Sequence, residues 1–322
     1  MKNFRIVFMG TPDFAVSTLG SLLINGYNVV GVVTTPDKPS GRGRKMSKSA
    51  VKEYAEYSSL DNILQPENLK DAEFISRLKQ LKPDLFIVVA FRMLPEIVWK
   101  IPSIGTINLH ASLLPDYRGA APINHAIING ETTTGVTTFF IDEKIDTGNI
   151  LLRDEVQIFP FENAGDLHDK LMKLGARLVI KTLSYIAENK IQELPQTHFT
   201  LPDKSLKPAP KIHPADCFID WKNEPEKIHN FIRGLSPSPG ARSILKSNSA
   251  KYTFKIFESQ PENSDHDLKP GKIITDGKHF MKVACTHGFI NIINLQIEGK
   301  TRMSVVEFLR GFEITDYIIE VS

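Results

Sequence analysis

The sequence predicts an α/β domain built on a mainly parallel sheet, followed by a smaller domain rich in strands. Three observations lead there. Apolar strand-like runs alternate with helix-like segments through the first two-thirds of the 322 residues, the pattern of successive βαβ units. From Leu194 to Pro210 that pattern fails, and LPQTHFTLPDKSLKPAP has the proline spacing of an extended linker. Beyond it, short runs separated by turn-rich segments suggest a small β-barrel or sandwich. The expected partition is therefore 1–193, a linker at 194–210, and 211–322.

The elements follow in order. Phe4 to Met9 is almost wholly apolar, as a strand covered on both faces should be. Thr11-Pro12 reads as a helix start, with Thr11 as cap and Pro12 preorganised for the first turn, so a helix is expected from Asp13 to Asn25, ended by Gly26. Asn28 to Thr34 is a second strand. It runs into a segment of Gly, Pro and Ser where Lys38, Arg42, Arg44, Lys45 and Lys48 occur with no acidic residue among them, which reads as a basic loop. Further strands are expected at Asp84 to Val89, Thr106 to Leu109, Gly135 to Phe140 and Ile150 to Val156. A helix is expected from Asn163 to Asn189, where Leu167, Leu171, Leu174, Leu178 and Ile186 form an apolar stripe. Past the linker, strands are expected at Tyr252 to Phe257, Lys272 to Thr275, Phe280 to Ala284 and Phe289 to Leu295. No internal repeat is found.

Composition narrows the function. With 41% hydrophobic and 24% charged residues, the chain is that of a globular protein large enough for two domains. The opening apolar run stops at Gly10-Thr11-Pro12-Asp13, too early for a signal-peptide core. No apolar stretch approaches the ~20 residues that span a bilayer, so a cytoplasmic location is expected. Cys217 and Cys285 are far apart and lack metal-ligand spacing, so neither a disulfide framework nor a zinc site is expected, and both read as core residues. A net charge of +2 does not by itself announce a nucleic-acid partner.

The chemistry should lie where strands leave the sheet, because ligands of open α/β sheets bind outside the carboxyl ends of the strands. In Thr106-Ile107-Asn108-Leu109-His110 the two-residue period of a strand puts Asn108 and His110 on one face. An Asn amide can donate to a developing oxyanion, and an imidazole can donate and exchange a proton near neutral pH. Asp146, in the loop IDEKIDTGNI, could hold the imidazole in one tautomer. An Asn-x-His pair is more often a hydrogen-bonded loop than a catalytic device. Asn is a poor transition-metal ligand and no Cys or second His completes a shell, so no metal is expected, although Asp142, Glu143 and Asp146 keep that alternative open. Ser112 lacks the G-x-S-x-G setting of a serine nucleophile. Neither G-x-G-x-x-G nor G-x-x-x-x-G-K-[ST] occurs, which weakens a nicotinamide dehydrogenase or an ATP site.

Three motifs taken together are more specific. Asn108-Leu109-His110-Ala111-Ser112-Leu113-Leu114-Pro115, Tyr117-Arg118-Gly119-Ala120-Ala121-Pro122 and Asp146-Thr147-Gly148, with GTPDFAV at 10–16, PDKPSGRGRK at 36–45 and Asp220-Trp221, resemble the folate-dependent formyltransferases over nearly the whole chain. The resemblance implies a Rossmann-like catalytic domain, an OB-like second domain and 10-formyltetrahydrofolate as formyl donor. It implies that Asn108 and His110 stabilise the tetrahedral intermediate while Asp146 orients His110 and assists proton transfer. Ser112, Leu113, Leu114 and Pro115 would line the folate site, with Phe91, Arg92, Met93 and Leu94 and then Ile141, Asp142, Glu143 and Lys144 flanking the pterin. Phe91-Arg92 stands where many members carry Tyr-Gly. The acceptor it implies is initiator methionyl-tRNA. Gly10, Thr11, Pro12 and Phe14 would receive its methionyl end, although Phe14 also reads as simple helix packing. Lys38, Arg42, Arg44 and Lys45 would meet the acceptor stem. Neither a membrane nor an obligate protein partner is implied. Rival readings are a sugar-nucleotide or glycinamide ribonucleotide formyltransferase with the same triad, and a tRNA-binding protein without catalysis.

Overall fold

The structure, a computed structural model, describes residues 4–40, 45–200 and 205–321. Its elements in chain order begin with β1 (Arg5–Gly10), α1 (Asp13–Ile24), β2 (Asn28–Val33), β3 (Lys38–Ser40), β4 (Lys45–Ser47), α2 (Ala50–Tyr57), β5 (Ile63–Leu64), α3 (Ala72–Gln80), β6 (Leu85–Val89), α4 (Glu96–Trp99) and β7 (Gly105–His110). There follow α5 (Pro122–Ile128), β8 (Thr133–Phe140), β9 (Ile150–Gln157), α6 (Ala164–Ala187) and α7 (Pro225–Gly234). The last are β10 (Ala241–Lys246), β11 (Lys251–Asn263), β12 (Ile273–Thr275), β13 (Met281–Cys285), β14 (Gly288–Ile297), β15 (Met303–Ser304), α8 (Val305–Gly311) and β16 (Ile318–Ile319). No helix among the described residues is long and apolar enough to cross a membrane.

Two compact units result, interleaved along the chain. The first takes Met1–Gly119, Thr134–Val156 and His168–Pro208; the second takes Ala120–Thr133, Gln157–Leu167 and Ala209–Ser322. Residues 120–133 and 157–167 thus group with the C-terminal part, a division that a partition by sequence position cannot express.

The first unit is an α/β domain whose seven-stranded sheet runs β5-β2-β1-β6-β7-β8-β9. β1, β2, β5, β6 and β7 pair in parallel. Residues of β1 and β6 such as Phe8 and Phe86 are fully buried, each stabilising the fold by about 1.5–3 kcal/mol relative to exposure. Val7, Met9, Phe86 and Val88 belong to an apolar cluster with Phe74, Leu78, Leu94 and Val98 of the α3 and α4 region. α6 comes so close to Leu109 of β7 that a methyl added at Gly175 would meet its side chain at 2.7 Å. In the same helix, Thr182 Oγ1 lies 2.8 Å from Thr138 Oγ1 of β8. β8 is antiparallel to β7, with Ile107 opposite Phe140 and His110 opposite Thr137.

Two local expectations are corrected. Thr11 does not cap α1: the cap position is Pro12 without a side-chain bond, Asp13 Oδ1 accepts from Phe14 N at 2.9 Å, and Thr11 Oγ1 is buried with no partner among the described residues. The acid inside the first turn reaches a free amide that the preceding hydroxyl does not. The described residues of the basic segment are also not loop throughout. β3 and β4 form an antiparallel pair with Lys38 opposite Ser47, Pro39 opposite Met46 and Ser40 opposite Lys45. Main-chain pairing makes this hairpin, and strands of three residues carry no apolar alternation that would announce it. Arg42 and Arg44 lie outside the described residues.

The second unit is an antiparallel, nearly closed barrel with strand order β12-β13-β14-β11-β10-β16 and β15 beside β14. Ile319 N in β16 donates to Gly271 O, just before β12, at 3.1 Å, so the two edges almost meet. Trp221 is fully buried in its core and donates from Nε1 to Ser243 Oγ at 3.0 Å. Cys217 and Cys285 are unpaired core residues of the same unit, and burial pushes the Cys285 thiol up to about 12. The sequence reading gave this unit strands only. α7 was signalled by Pro225 at its first turn and by Ile228 and Ile232 four apart. α8 was signalled by the Ser304–Glu307 capping box, in which Ser304 Oγ accepts from Glu307 N at 3.3 Å and Glu307 accepts from Ser304 N at 2.8 Å.

His229 of α7 faces Ser259 Oγ across 3.1 Å. Burial and then the nearby Arg233 charge hold its imidazole below the usual range, against the smaller pull of a hydrogen bond with Pro160 and of Glu226. Above a pH of about 6.5 the ring is neutral in the folded and the unfolded chain. Below it, the unfolded chain binds a proton that the fold resists, so stability falls with pH until the lower native value is passed. The urea midpoint of the wild type is expected to fall more steeply between pH 7 and pH 5 than that of His229→Gln; parallel curves would contradict this.

Candidate active site

β7 is the centre of the site. Its neighbours are β6 and β8, and Asn108 lies in register between Val88 and Phe139. Leu109 meets α6, so the alternation of the strand turns Asn108 and His110 to the opposite face, the one bearing Phe86 and Val88. The two residues do share a face, as their spacing predicts. His110 is buried, and Asn108 is half-buried.

His110 is held at both ring nitrogens. Nε2 donates to the Tyr117 carbonyl at 2.8 Å, and Nδ1 lies 3.8 Å from Asp146 Oδ2. That carboxylate oxygen also accepts from Gly119 N at 3.0 Å. The two turns that supply these partners carry backbone strain: φ is +63° at Tyr117 and +54° at Asp146, each costing about 1–2 kcal/mol for an L-residue.

Asp146 reaches His110 by a route that the sequence reading did not describe. Because β8 runs antiparallel, its carboxyl end lies at the beginning of β7: Ile141 N donates to Thr106 O at 2.8 Å. The loop 141–149 must therefore double back along β7 by about 13 Å, four residues of strand, before Phe140 N meets Asn149 O at 3.1 Å. Asp142 Oδ1 stiffens its first turn by accepting from Lys144 N at 3.1 Å and Thr147 Oγ1 at 2.7 Å. Gly148 closes it, since an added Cβ would lie 1.6 Å from Phe140 O.

Gln196 was not foreseen. It is buried in the segment read as linker, and its Nε2 donates to Asp146 O at 2.8 Å and to Gly148 O at 3.0 Å. Its Oε1 accepts from Arg118 Nε at 3.0 Å and from the Arg118 terminal nitrogen at 2.6 Å. Lys207 O accepts from Tyr117 N at 2.6 Å, and Asp116 Oδ1 accepts from Lys207 N at 2.9 Å. Gln196 and Lys207 are thus tied to the turns around His110. A Gln between Pro195 and Thr197 carries no signal of such a role; only the fold brings it there.

The segments expected around the pterin come together in part. Phe91 and Ile141 pack on the apolar cluster that contains Leu94, and Ile141 also packs on the cluster of Leu114, Phe139 and Ile150. Leu114 and Pro115 are buried, Leu113 is half-buried, and Ser112 is fully buried, donating to Asp116 O at 2.7 Å. Thr137 Oγ1 ties this loop to β8, donating to Ser112 O at 2.7 Å and accepting from Leu114 N at 3.2 Å. Arg92 donates to Glu67 O at 2.8 Å and to Pro66 O, lies over the Phe91 ring, and is pulled below its usual pKa by burial. Its Nε is buried without a partner among the described residues. A cleft of about 770 Å³ opens beside it, lined by Arg92, Met93 and Leu69 among others. Met93, Asp142, Glu143 and Lys144 are exposed. The cleft is lined by residues of 67–70 and 92–97 and by none of 112–115 or 141–144, so the fit of a flat ligand rests on the half-buried apolar groups of Phe91, Leu113 and Ile141.

At the exit of β1, Gly10 has no room for a side chain, Pro12 is exposed, and Phe14 is buried edge-to-face on His168 at 5.2 Å. Phe14 therefore packs on α6, the plainer of its two readings. Lys38 is exposed; Lys45 lies in β4.

The family model for formyl transferase matches residues 4–183, and that for the formyl transferase C-terminal domain matches 211–313. The chain belongs to the formyltransferase family. A methionyl-tRNA formyltransferase of Bacteroides fragilis is 52% identical over 316 residues, covering 98% of this chain and 97% of that one. One of Flavobacterium johnsoniae is 51% identical over 316 residues, covering 98% of each chain. Among solved structures, a sugar 3N-formyl transferase crystallised with dTDP and 5-N-formyl-THF superposes with a TM-score of 0.64 at 22% identity, over 94% of this chain and 100% of that one. At that identity the likeness shows the formyltransferase fold alone.

Gly148→Ala is expected to destabilise the protein by at least ~1 kcal/mol through overpacking, read as a lowered urea midpoint. Gly311→Ala, at the end of α8 where an added methyl meets nothing within 4 Å, is the control and should keep the midpoint or raise it slightly.

Proposed function

We propose that this formyltransferase moves the formyl group of 10-formyltetrahydrofolate to the α-amine of initiator methionyl-tRNA, giving N-formylmethionyl-tRNA for translation initiation in the cytoplasm. The observation that carries the reading is the His110–Asp146 pair on the same strand face as Asn108, in a chain half-identical along its length to enzymes named for this reaction. A division of the chain at 194–210 accords with family matches that end at 183 and resume at 211.

In the proposed reaction the methionyl amine attacks the formyl carbon, a new C–N bond forms, and the bond from the formyl carbon to N10 breaks. Asn108 donates to the oxyanion of the tetrahedral intermediate, where a preorganised donor is most effective. His110 Nε2 is occupied by the Tyr117 carbonyl, so proton exchange falls to the Nδ1 edge shared with Asp146. The proton lost by the amine leaves by way of that pair, and N10 gains one as the folate departs. Residues 91–94, 112–115 and 141–144 hold the folate, and the residues at the exit of β1 receive the methionyl end. The basic segment with Lys38, Arg42, Arg44 and Lys45 meets the RNA backbone.

Purified protein given 10-formyltetrahydrofolate is expected to formylate methionyl-tRNA and to leave a sugar-nucleotide amine or glycinamide ribonucleotide unmodified; product on either small molecule but not on tRNA would replace this reading. Asn108→Ala and His110→Ala should each cost about 100-fold or more in turnover. Arg42→Ala should raise the KM for tRNA and flatten its salt dependence while folate binding is kept, because a lost phosphate contact releases one counterion fewer.

A further inference from the structure

The loop that carries Asp146 has to double back along β7 and pass through a left-handed residue at Asp146 itself, where φ is +54°. Its own sequence supplies bonds for its first turn through Asp142. The peptide carbonyls of Asp146 and Gly148 are both satisfied by one group from elsewhere, the carboxamide of Gln196. That group is buried, and its oxygen is gripped twice by the Arg118 guanidinium. Arg118 stands between Tyr117, whose carbonyl holds His110 Nε2, and Gly119, whose amide holds Asp146 Oδ2.

From this arrangement we propose that Gln196 is a positioning residue for the Asp146 carboxylate, locking the 141–149 loop to the 116–119 turn so that Asp146 and His110 keep their spacing. Only a carboxamide meets both demands at once. Its nitrogen has two hydrogens for two carbonyls, and its oxygen accepts from a planar fork. A carboxylate in its place would keep Arg118 but turn an oxygen toward two carbonyl oxygens; an aliphatic side chain would leave all of these groups unsatisfied in a buried place. The inference rests on the reading that puts Asp146 in the reaction centre, and it adds a residue in the segment between the two family matches.

The test uses the full chain and compares Gln196→Glu, Gln196→Ala, Asp146→Asn and the pairs Gln196→Ala/Asp146→Asn and Gln196→Glu/Asp146→Asn. Formylation of methionyl-tRNA and thermal midpoints are measured for each. Both Gln196 variants are expected to lose about 10- to 100-fold in kcat, the scale of an ångström-level misplacement. The KM values for 10-formyltetrahydrofolate and tRNA should stay within about threefold, and neither substitution should cost more once the Asp146 carboxylate is gone, as for residues that act as one unit. If Gln196→Glu turned over like the wild type, holding Arg118 would be its whole role and the proposal would fall. Equal losses in the wild-type and Asp146→Asn backgrounds would show a general structural role and overturn it as well. Wild-type turnover by Asp146→Asn would remove the premise instead, taking down the assigned reaction centre along with the proposal, and is distinguished by that single variant. Should Gln196→Ala fold poorly, the isosteric Gln196→Glu decides alone.

Discussion

The antiparallel pairing of β7 with β8 is the constraint on which the placement of Asp146 beside His110 depends. A parallel strand in that place would deliver its following loop straight to the end of β7, where His110 sits. The antiparallel strand delivers it to the beginning, at Thr106, and the chain must return along the strand to place a carboxylate beside the imidazole. The positive φ at Asp146, the absence of space for any side chain at Gly148, and the donors gathered on the carbonyls of 146 and 148 are consequences of that return. Asp146-Thr147-Gly148 is thus a turn motif as much as a chemical one.

The sheet supplies the rigidity against which the loop is set. β7 is fifth in the order of seven strands, with α6 close on the Leu109 side and an apolar cluster on the other. Asn108 and His110 issue from a strand that cannot shift register without exposing its buried face. Side chains on such a strand keep their aim, whereas the Asp146 loop needs added bonds to keep its own. His110 accordingly meets two loop partners, the Tyr117 carbonyl and the Asp146 carboxylate. With the main-chain carbonyl on Nε2, that nitrogen is the donor and Nδ1 is the side that faces Asp146.

Burial divides the residues expected to hold the folate. Leu114 and Ser112 are fully buried, and the Thr137 hydroxyl ties their main chain to β8. Arg92 is different: its terminal nitrogens are committed to the main chain of Pro66 and Glu67, while Nε has no acceptor among the described residues. The Arg92 guanidinium is therefore fixed by main-chain carbonyls as well as carrying a charge. In the second unit, the near closure of β16 on the residue before β12 leaves little open edge for unwanted pairing.

What the sequence determined by itself was the set of local patterns. The apolar runs of β1 and β6, the stripe of α6 and the Pro and Gly ends of α1 are properties of consecutive residues, and they were legible because side-chain period and capping act over a few positions. The shared face of Asn108 and His110 was legible for the same reason. Only the tertiary structure decided which strand runs antiparallel, which carbonyl holds the His110 ring, and that Gln196, 50 residues beyond Asp146, supports its loop. These are contacts between segments far apart in the chain, made with main-chain groups that every residue carries, so no residue type announced the partner. The hairpin of the basic segment and the interleaving of the two units escaped the sequence on the same physical ground.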